Sequence, residues 1–422
     1  MRVLVVGGGG REHAIVWKLA QSPDVEKIWC APGNGGIAEL AECVPIQAHD
    51  VEALLEFALE RNVDLTVVGP EDPLMRGIVN RFQEHGLHIF GPTAEGAKIE
   101  GSKRFAKELM QKYGIPTAKF RVFSDADEAK AYLREQGVPI VVKADGLAAG
   151  KGVVVARTME EAERAVEDAM VRKVFGEAGA EVVIEECLEG QELSLMAFFD
   201  GHRVVPMVPA QDHKPVFDGD RGPNTGGMGT YSPVPQIPED VIRRAEEEIL
   251  RPMQHVFESE GILYRGVLYA GLMWTADGPK VIEFNARFGD PETQVVLPRL
   301  DGDLARILLD VSTGRLRPDD VKWKSEAAVC VVMAAGGYPG PVEKGRVIEG
   351  LPAAERPDVI VFHAGTAREN GQLVTAGGRV LGVTALGSGL REARDKAYET
   401  VRSIRFAGAH YRSDIAFRAL ET

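Results

Sequence analysis

The chain has 422 residues, room for about three domains at roughly 150 residues each, and its 45% hydrophobic and 27% charged content fits a folded soluble protein with a sizeable core. Lys and Arg number 49 against 63 Asp and Glu, a formal charge of −14 that disfavours a nucleic-acid coat or an anionic membrane surface as partner. No apolar run reaches the ~18 residues needed to span a bilayer, the opening MRVLVVGGGGREHA carries no secretory pattern, and Cys30, Cys43, Cys187 and Cys330 show no CxxC spacing, so a cytoplasmic protein without membrane, disulfide framework or zinc site is expected.

The first hundred residues alternate strand and helix signals. Strands are predicted at Arg2–Val6, Lys27–Cys30, Leu65–Val68 and Leu87–Phe90, and helices at Glu12–Gln21, Val51–Arg61 and Met75–His85. That alternation implies right-handed crossovers and a parallel, Rossmann-like sheet, with ligands at the carboxyl ends of the strands. From residue 101 the pattern changes. A helix over Ser102–Tyr113 with Ser102 as N-cap precedes strands near 119–122 and 139–144, a helix near 126–136, and a strand at Val153–Ala156. A helix at 160–170 and a strand at 181–186 complete a small α+β unit inserted in a larger domain, which resumes near Glu192 with strands at 267–274 and 280–284. The tail is strand-rich (327–334, 379–385) and closes with a helix near 390–404. The expected division is an N-terminal α/β domain over 1–102, a central domain over 103–325 with a mobile lid at about 123–190, and a C-terminal α+β domain over 326–422.

Residues 141–152, VVKADGLAAGKG, hold the most informative loop. They fail the P-loop test: three residues rather than four separate the glycines, Gly152 follows Lys151, and a strand comes next. A glycine-rich loop joining two strands instead suits a flap that closes over phosphates with its amides, with Lys143 aimed at the α- and β-phosphates. The plainer alternative is a structural hairpin. On the strand ending Glu283-Phe-Asn285-Ala-Arg287, alternation puts residues 283, 285 and 287 on one face. A carboxylate, an amide oxygen and a guanidinium there suit a magnesium ion beside developing phosphoryl charge; a strand-end salt bridge is the alternative. Gln211-Asp-His-Lys214 and Asn224-Thr-Gly-Gly-Met-Gly229 are polar and glycine-rich. Asp212 suits a substrate ammonium, Lys214 a phosphate and the glycine amides an oxyanion, whereas His213 reads as a loop histidine and not a base. Gly7–His13 breaks the G-x-G-x-x-G register, and no acid stands ready for a ribose diol, so NAD is not expected, although Arg11 and a helix N-terminus suit a phosphate.

Together these segments resemble the ATP-grasp superfamily and, within it, the phosphoribosylamine–glycine ligase family. The resemblance runs end to end through residues 5–14, 31–34, 68–71, 90–93, 100–103, 143–152, 211–214, 222–229, 283–293, 333–340 and 362–366. The family often has Asn or Cys where this chain has Gly8 and Ala286. The resemblance implies a central ATP-grasp domain and ATP as co-substrate. Lys103 and Lys143 would meet the nucleotide phosphates under a lid formed by Gly146, Gly150, Lys151 and Gly152. The hinge residues Glu185, Glu186 and Leu188 would read adenine, largely through backbone groups, and Glu192 the ribose. Glu283 and Asn285 would hold Mg²⁺ or Mn²⁺, in a thin shell because Leu272-Met273 stands where many such enzymes add a carboxylate. Arg287 would stabilise the transferring group, and Asp212 and Lys214 would serve catalysis. Gly8, Gly9, Gly10, Arg11, Glu12 and Glu71 would hold the phosphoribosyl group, with Asn224, Thr225, Gly226 and Gly227 lining the acceptor side. The implied partners are the small molecules ATP, glycine and phosphoribosylamine, the implied state a monomer, and the implied reaction an ATP-driven carboxylate–amine ligation through glycyl phosphate in purine biosynthesis. Another ATP-grasp ligase of nucleotide metabolism is the alternative. A nicotinamide oxidoreductase and a non-catalytic nucleotide-binding module stand further off.

Overall fold

The computed structural model describes residues 1–421. The first sheet is fully parallel, with strands β1 (Arg2–Gly7), β2 (Lys27–Pro32), β3 (Glu42–Cys43), β4 (Leu65–Val68) and β5 (Ile89–Phe90) in the order β3-β2-β1-β4-β5. Val3–Val6 and Leu65–Val68 are buried throughout, as strands covered on both faces must be. The strand order reverses beside β1, so its carboxyl end opens onto the crevice where such sheets bind ligands. The helix after β1 spans Gly10–Leu19, two residues earlier than its periodicity suggested, because the Glu12 carboxylate accepts from Gly9 N–H at 2.9 Å and satisfies that helix end. The helix expected over Met75–His85 is two helices, Glu71–Met75 and Ile78–Glu84, parted by Gly77 at φ +83°. The sequence reading missed a helix, Ala94–Gly101, whose glycines blur its pattern. It runs into Ser102, whose hydroxyl accepts from Phe105 N–H at 3.1 Å and starts helix Lys103–Tyr113.

The lid is an antiparallel sheet of β6 (Phe120–Phe123), β7 (Ile140–Ala144), β8 (Val153–Ala156) and β9 (Val182–Glu186), ordered β6-β9-β7-β8. Helices Ala126–Gln136 and Met159–Val166 pack on it around a separate core that includes Leu133, Ile140, Val142, Val166 and Ile184. The second of these helices stops short of the expected Met170 by widening into a turn at Glu167–Val171. A unit with its own core is held to the rest mainly by hinge strands and polar contacts.

The larger central sheet comprises β10 (Gln191–Asp200), β11 (Val204–Pro206), β16 (Arg265–Thr275) and β17 (Gly278–Asn285), ordered β11-β10-β16-β17. Another sheet, in the order β12-β15-β18-β22-β19, joins β12 (Gln211–Asp212) and β15 (Gly229–Ser232) to β18 (Ala327–Ala334), β19 (Val359–His363) and β22 (Arg379–Gly387). Two hairpins, β13 (Pro215–Phe217) with β14 (Arg221–Asn224) and β20 (Thr366–Glu369) with β21 (Gln372–Thr375), hang from it. The C-terminal sheet thus takes two strands from the region read as central, and segment 211–214 is not a solvated loop. Gln211–Asp212 is too short to alternate and Gly229–Ser232 begins in a glycine-rich turn, so only their partners define these two strands. Among the described residues no helix is long and apolar enough to cross a membrane.

Candidate active site

The end of β17 is the focus. Glu283 faces Gly271 across the β16–β17 pair, and a Cβ on Gly271 would lie 3.3 Å from Glu283 Cγ, so the neighbouring strand contributes no second carboxylate there. Burial pushes the Glu283 carboxyl up, but Lys214, Lys143, Lys103 and Arg287 together hold it below the usual carboxylate range. Lys103, at the start of its helix, donates to the Gly146 carbonyl at 3.0 Å, and Asp145 accepts from Ser102 Oγ (3.0 Å) and Arg104 N–H (2.8 Å), so the root of the glycine loop is fastened to that helix. Beyond the root the loop stands free: Ala149 and Gly150 have φ of +51° and +77°, and nothing lies within 4 Å of a Cβ built on Gly150. Gly152 is needed for closeness, since its Cβ would sit 2.9 Å from that of Ala148. Lys151 is exposed and its N–H closes the turn onto the Ala148 carbonyl at 2.9 Å.

Lys143 Nζ donates to the Ile282 carbonyl at 3.0 Å and meets Glu185 at 2.7 Å. The hairpin lysine therefore touches the acidic strand directly, and a narrow space beside Glu283 is lined by Glu192, Ser194, Lys214, Tyr269 and Leu272. The Glu185 side chain is not free for a base. Its carboxylate lies between Lys143 and Lys107, and these cations outweigh burial and hold it ionised. Glu186 is spent on the backbone of Lys119, accepting from its N–H at 3.0 Å, and Leu188 is half-buried beside it in the hinge. Glu192 lies 3.5 Å from Lys214.

Glu283 and Asn285 offer two hard oxygen donors, and among the described residues no group of three or more His, Cys, Asp or Glu could cage a metal. That donor set fits a divalent ion bound chiefly through phosphate oxygens and water.

Just past the end of β17 every nitrogen of Arg287 is engaged. Nε meets Glu71 at 3.3 Å, Nη2 meets Glu100 at 3.3 Å and the Asn285 amide oxygen at 3.4 Å, and Nη1 donates to the Phe288 carbonyl at 3.3 Å. Glu100 also accepts from Ala286 N–H at 2.8 Å, so the N-terminal domain is tied to the strand end through one guanidinium. Burial raises the Glu100 carboxyl despite Arg287, whereas Glu71, facing Arg287 and Arg11, is held low despite burial. Arg11 pairs with Glu12 at 2.5 Å and donates to the Phe288 carbonyl at 3.3 Å. Glu12 is thus committed to its helix cap and to Arg11. Gly8 lies against Gly33, whose carbonyl would be 2.6 Å from a Cβ at residue 8, and a Cβ on Gly10 would be 2.7 Å from Gln294 Nε2.

The turn at residues 224–227 closes the same corner. Arg379 donates to the Gly226 carbonyl at 2.9 Å and pairs with Asp290 at 3.4 Å. Thr225 N–H and Oγ1 donate to the Lys214 carbonyl (2.8 and 2.7 Å), Gly227 N–H donates to Thr225 Oγ1 (2.9 Å) and Gly226 N–H to Tyr338 OH (3.1 Å), so these amides are engaged and not open to an oxyanion in this conformation. Asn224, at the end of β14, is exposed.

Asp212 is buried and has no hydrogen bond or ion pair to its carboxylate among the described residues. Burial first, then Glu292, Glu192 and Glu283, push it up to about 7 against the pull of Lys214. The lysine itself is held well above its usual range by Glu192, Asp212 and Glu283 despite burial. Glu292 accepts from Tyr269 OH at 3.0 Å and Ser194 Oγ at 3.4 Å. His213 lies in the loop between β12 and β13, as expected, but is fully buried there; its Nε2 accepts from Ala416 N–H at 3.0 Å while burial holds it neutral, a structural role.

Residues that the motifs did not reveal are Lys107 and Arg379; Glu100 stood in the 100–103 stretch without a role assigned to it. Lys107 follows Lys103 at i+4, a spacing that puts both on one helix face and offered a signal. Arg379 stands alone at a strand start and offered none.

A glycine-loop hairpin with a buried lysine, closing on an antiparallel sheet whose last strand ends in a Glu-x-Asn pair, defines an ATP-grasp enzyme. The chain matches the phosphoribosylglycinamide synthetase N domain over residues 1–100, its ATP-grasp (A) domain over 101–293 and its C domain over 328–418. It belongs to the phosphoribosylglycinamide synthetase family. A phosphoribosylamine–glycine ligase of Halalkalibacterium halodurans is 56% identical over 420 residues, covering 100% of this chain and 97% of the relative, and that of Escherichia coli O157:H7 is 52% identical over 425 residues, covering 100% and 99%. The crystal structure of phosphoribosylamine–glycine ligase from Thermotoga maritima superposes with a TM-score of 0.86 at 38% identity, covering 99% of this chain and 100% of that one. A biotin carboxylase from Campylobacter jejuni shares the fold at 16% identity, with a TM-score of 0.76 and coverage of 100% and 95%.

Proposed function

We propose that this protein ligates glycine to 5-phospho-β-D-ribosylamine, with ATP converted to ADP and phosphate, to form glycinamide ribonucleotide in de novo purine biosynthesis. A glycine carboxylate oxygen attacks the γ-phosphorus and ADP leaves, giving glycyl phosphate. The amine of phosphoribosylamine then attacks the acyl carbon, loses a proton, and phosphate leaves. Both nucleophiles react once oriented, so positioning and charge supply most of the catalysis. The carrying observation is the contact of Lys143 with β17 next to Glu283, which supports a reading in which the lysine and the Glu283–Asn285 oxygen donors serve one triphosphate.

Lys103 and Lys143 bind the phosphates while Gly146, Gly150, Lys151 and Gly152 close over them. Glu185, Glu186 and Leu188 form the adenine hinge, in which backbone groups read the base, and Glu192 faces the ribose. Glu283 and Asn285 would hold Mg²⁺ or Mn²⁺, which when bound offsets charge on the phosphoryl group. Arg287 and Lys214 flank the transferring group, and Asp212 takes the glycine ammonium, the cation its empty carboxylate lacks. Gly8, Gly9, Gly10, Arg11, Glu12 and Glu71, with Asn224, Thr225, Gly226 and Gly227, surround phosphoribosylamine, and Asp290 and Arg379 join them. The enzyme acts as a cytoplasmic monomer on diffusible substrates. An ADP-release assay tests the reading: turnover should require both glycine and phosphoribosylamine, and ADP release indifferent to either would overturn it.

A further inference from the structure

Lys107 has no part in the reaction as derived, yet its side chain is only 3% exposed. Its ammonium meets Glu185 Oε1 at 2.5 Å and donates to Thr117 Oγ1 at 2.6 Å, and that hydroxyl donates onward to the Val281 carbonyl at 2.7 Å. The other oxygen of Glu185 meets Lys143 at 2.7 Å, and Lys143 donates to the Ile282 carbonyl at 3.0 Å. The chain of contacts leaves β17 at one carbonyl, crosses a helix and two strands, and returns at the next carbonyl, immediately before Glu283. It ties the nucleotide helix, the lid strands β7 and β9, and the metal strand together.

Charge makes the arrangement more than a staple. Two ammoniums and one carboxylate, all nearly buried, sum to +1. Without Lys107, Glu185 and Lys143 would form a neutral pair, and a neutral pair offers a triphosphate little net attraction in a site of low dielectric. We infer that Lys107 is a positioning residue that occupies half of Glu185, so that Lys143 keeps both its direction and its unspent charge for the nucleotide phosphates. The inference rests on the reading in which Lys143 meets the nucleotide tail.

Binding of ADP and of adenosine, measured calorimetrically without glycine or phosphoribosylamine, separates charge from mere stapling. Lys107→Met should weaken ADP about tenfold, the effect of one partly screened charge, and leave adenosine unchanged. It should raise KM for ATP with KM for glycine unmoved. The double variant Lys107→Met/Glu185→Gln restores a net charge of +1 and should return ADP affinity to within about threefold of wild type, a rescue that coupled charges give and independent losses do not. Lys107→Arg should stay near wild type. If Lys107→Met does not fold, the double variant decides: ADP affinity near wild type supports the role, and a tenfold loss overturns it. Equal loss of adenosine and ADP, or no rescue in the double variant, also overturns it. If Lys143→Met leaves ADP binding unchanged, the nucleotide reading itself fails and this one with it. If Lys143→Met weakens ADP while Lys107→Met does not, only the positioning role falls.

Discussion

Asp212→Asn should make the ligand-free protein more stable and the enzyme worse. The wild-type carboxyl is pushed from its ordinary 3.8 up to about 7, because it is buried with no cation in contact and three glutamates nearby. Between those two values the unfolded chain has released this proton and the folded chain has not, so stability falls as pH rises through the interval and levels off above about 7. At about 1.4 kcal/mol per pH unit, the penalty is on the order of 4 kcal/mol at pH 8 and of 1.5 kcal/mol at pH 5. An asparagine of the same shape carries no charge and escapes it. Urea denaturation at pH 5 and pH 8 should therefore show the variant's advantage growing with pH. Saturating glycine should stabilise wild type at pH 8 and leave the variant unmoved, because the ammonium is the cation the site lacks, and KM for glycine should rise by tenfold or more in the variant with KM for ATP held. A variant less stable than wild type at pH 8, or one that keeps its glycine KM, would refute the reasoning at its electrostatic root.

Arg287→Lys should lose most turnover and destabilise by about 2–4 kcal/mol, since an ammonium cannot reproduce the fork that meets Glu71, Glu100 and Asn285 together and would leave a buried carboxylate unpaired; wild-type rates and melting in that variant would reject the assignment. Glu283→Gln should lower kcat about tenfold or more and raise the Mg²⁺ concentration for half-maximal rate, and an unchanged magnesium titration counts against a ligand role. His13 and His363 meet at the contact of the first helix with β19, where His13 Nδ1 accepts from His363 N–H at 2.7 Å. Burial holds them down to about 3 and about 4, so the unfolded chain takes up protons first and stability should fall as pH drops below 6.5. His13→Asn, which keeps an acceptor but cannot titrate, should reduce that slope by about 1.4 kcal/mol per pH unit between pH 6.5 and 5, and identical slopes in paired denaturation curves would exclude the mechanism.

How much was legible before folding depended on how local the cause was. Leu65–Val68, Ala126–Gln136, Val153–Ala156 and Ala327–Ala334 were readable to the residue because periodicity and caps are written in consecutive side chains. Asn285 and Arg287 also touch, but β17 ends at Asn285, so a bend and not strand alternation brings Arg287 there. The glycine loop of residues 146–152 and the Glu283–Asn285 pair announced themselves by composition. The break at Gly77 and the helix at Ala94–Gly101 were less visible, because in both places weak helix formers are held by packing and not by their own preference.

The sequence alone, then, determined which groups this protein has for handling phosphate, metal and amine, since residue type fixes charge and donor chemistry wherever the chain runs. Tertiary structure decided what each group is free to do. Glu185, read as an adenine contact, is held by two lysines that lie 42 and 78 residues away in the chain, while Asp212, one acid among 63, is singled out because folding leaves it buried without a partner. Charge is a property of a residue, but whether that charge is compensated depends on its neighbours in space, and those are chosen only when the sheets assemble.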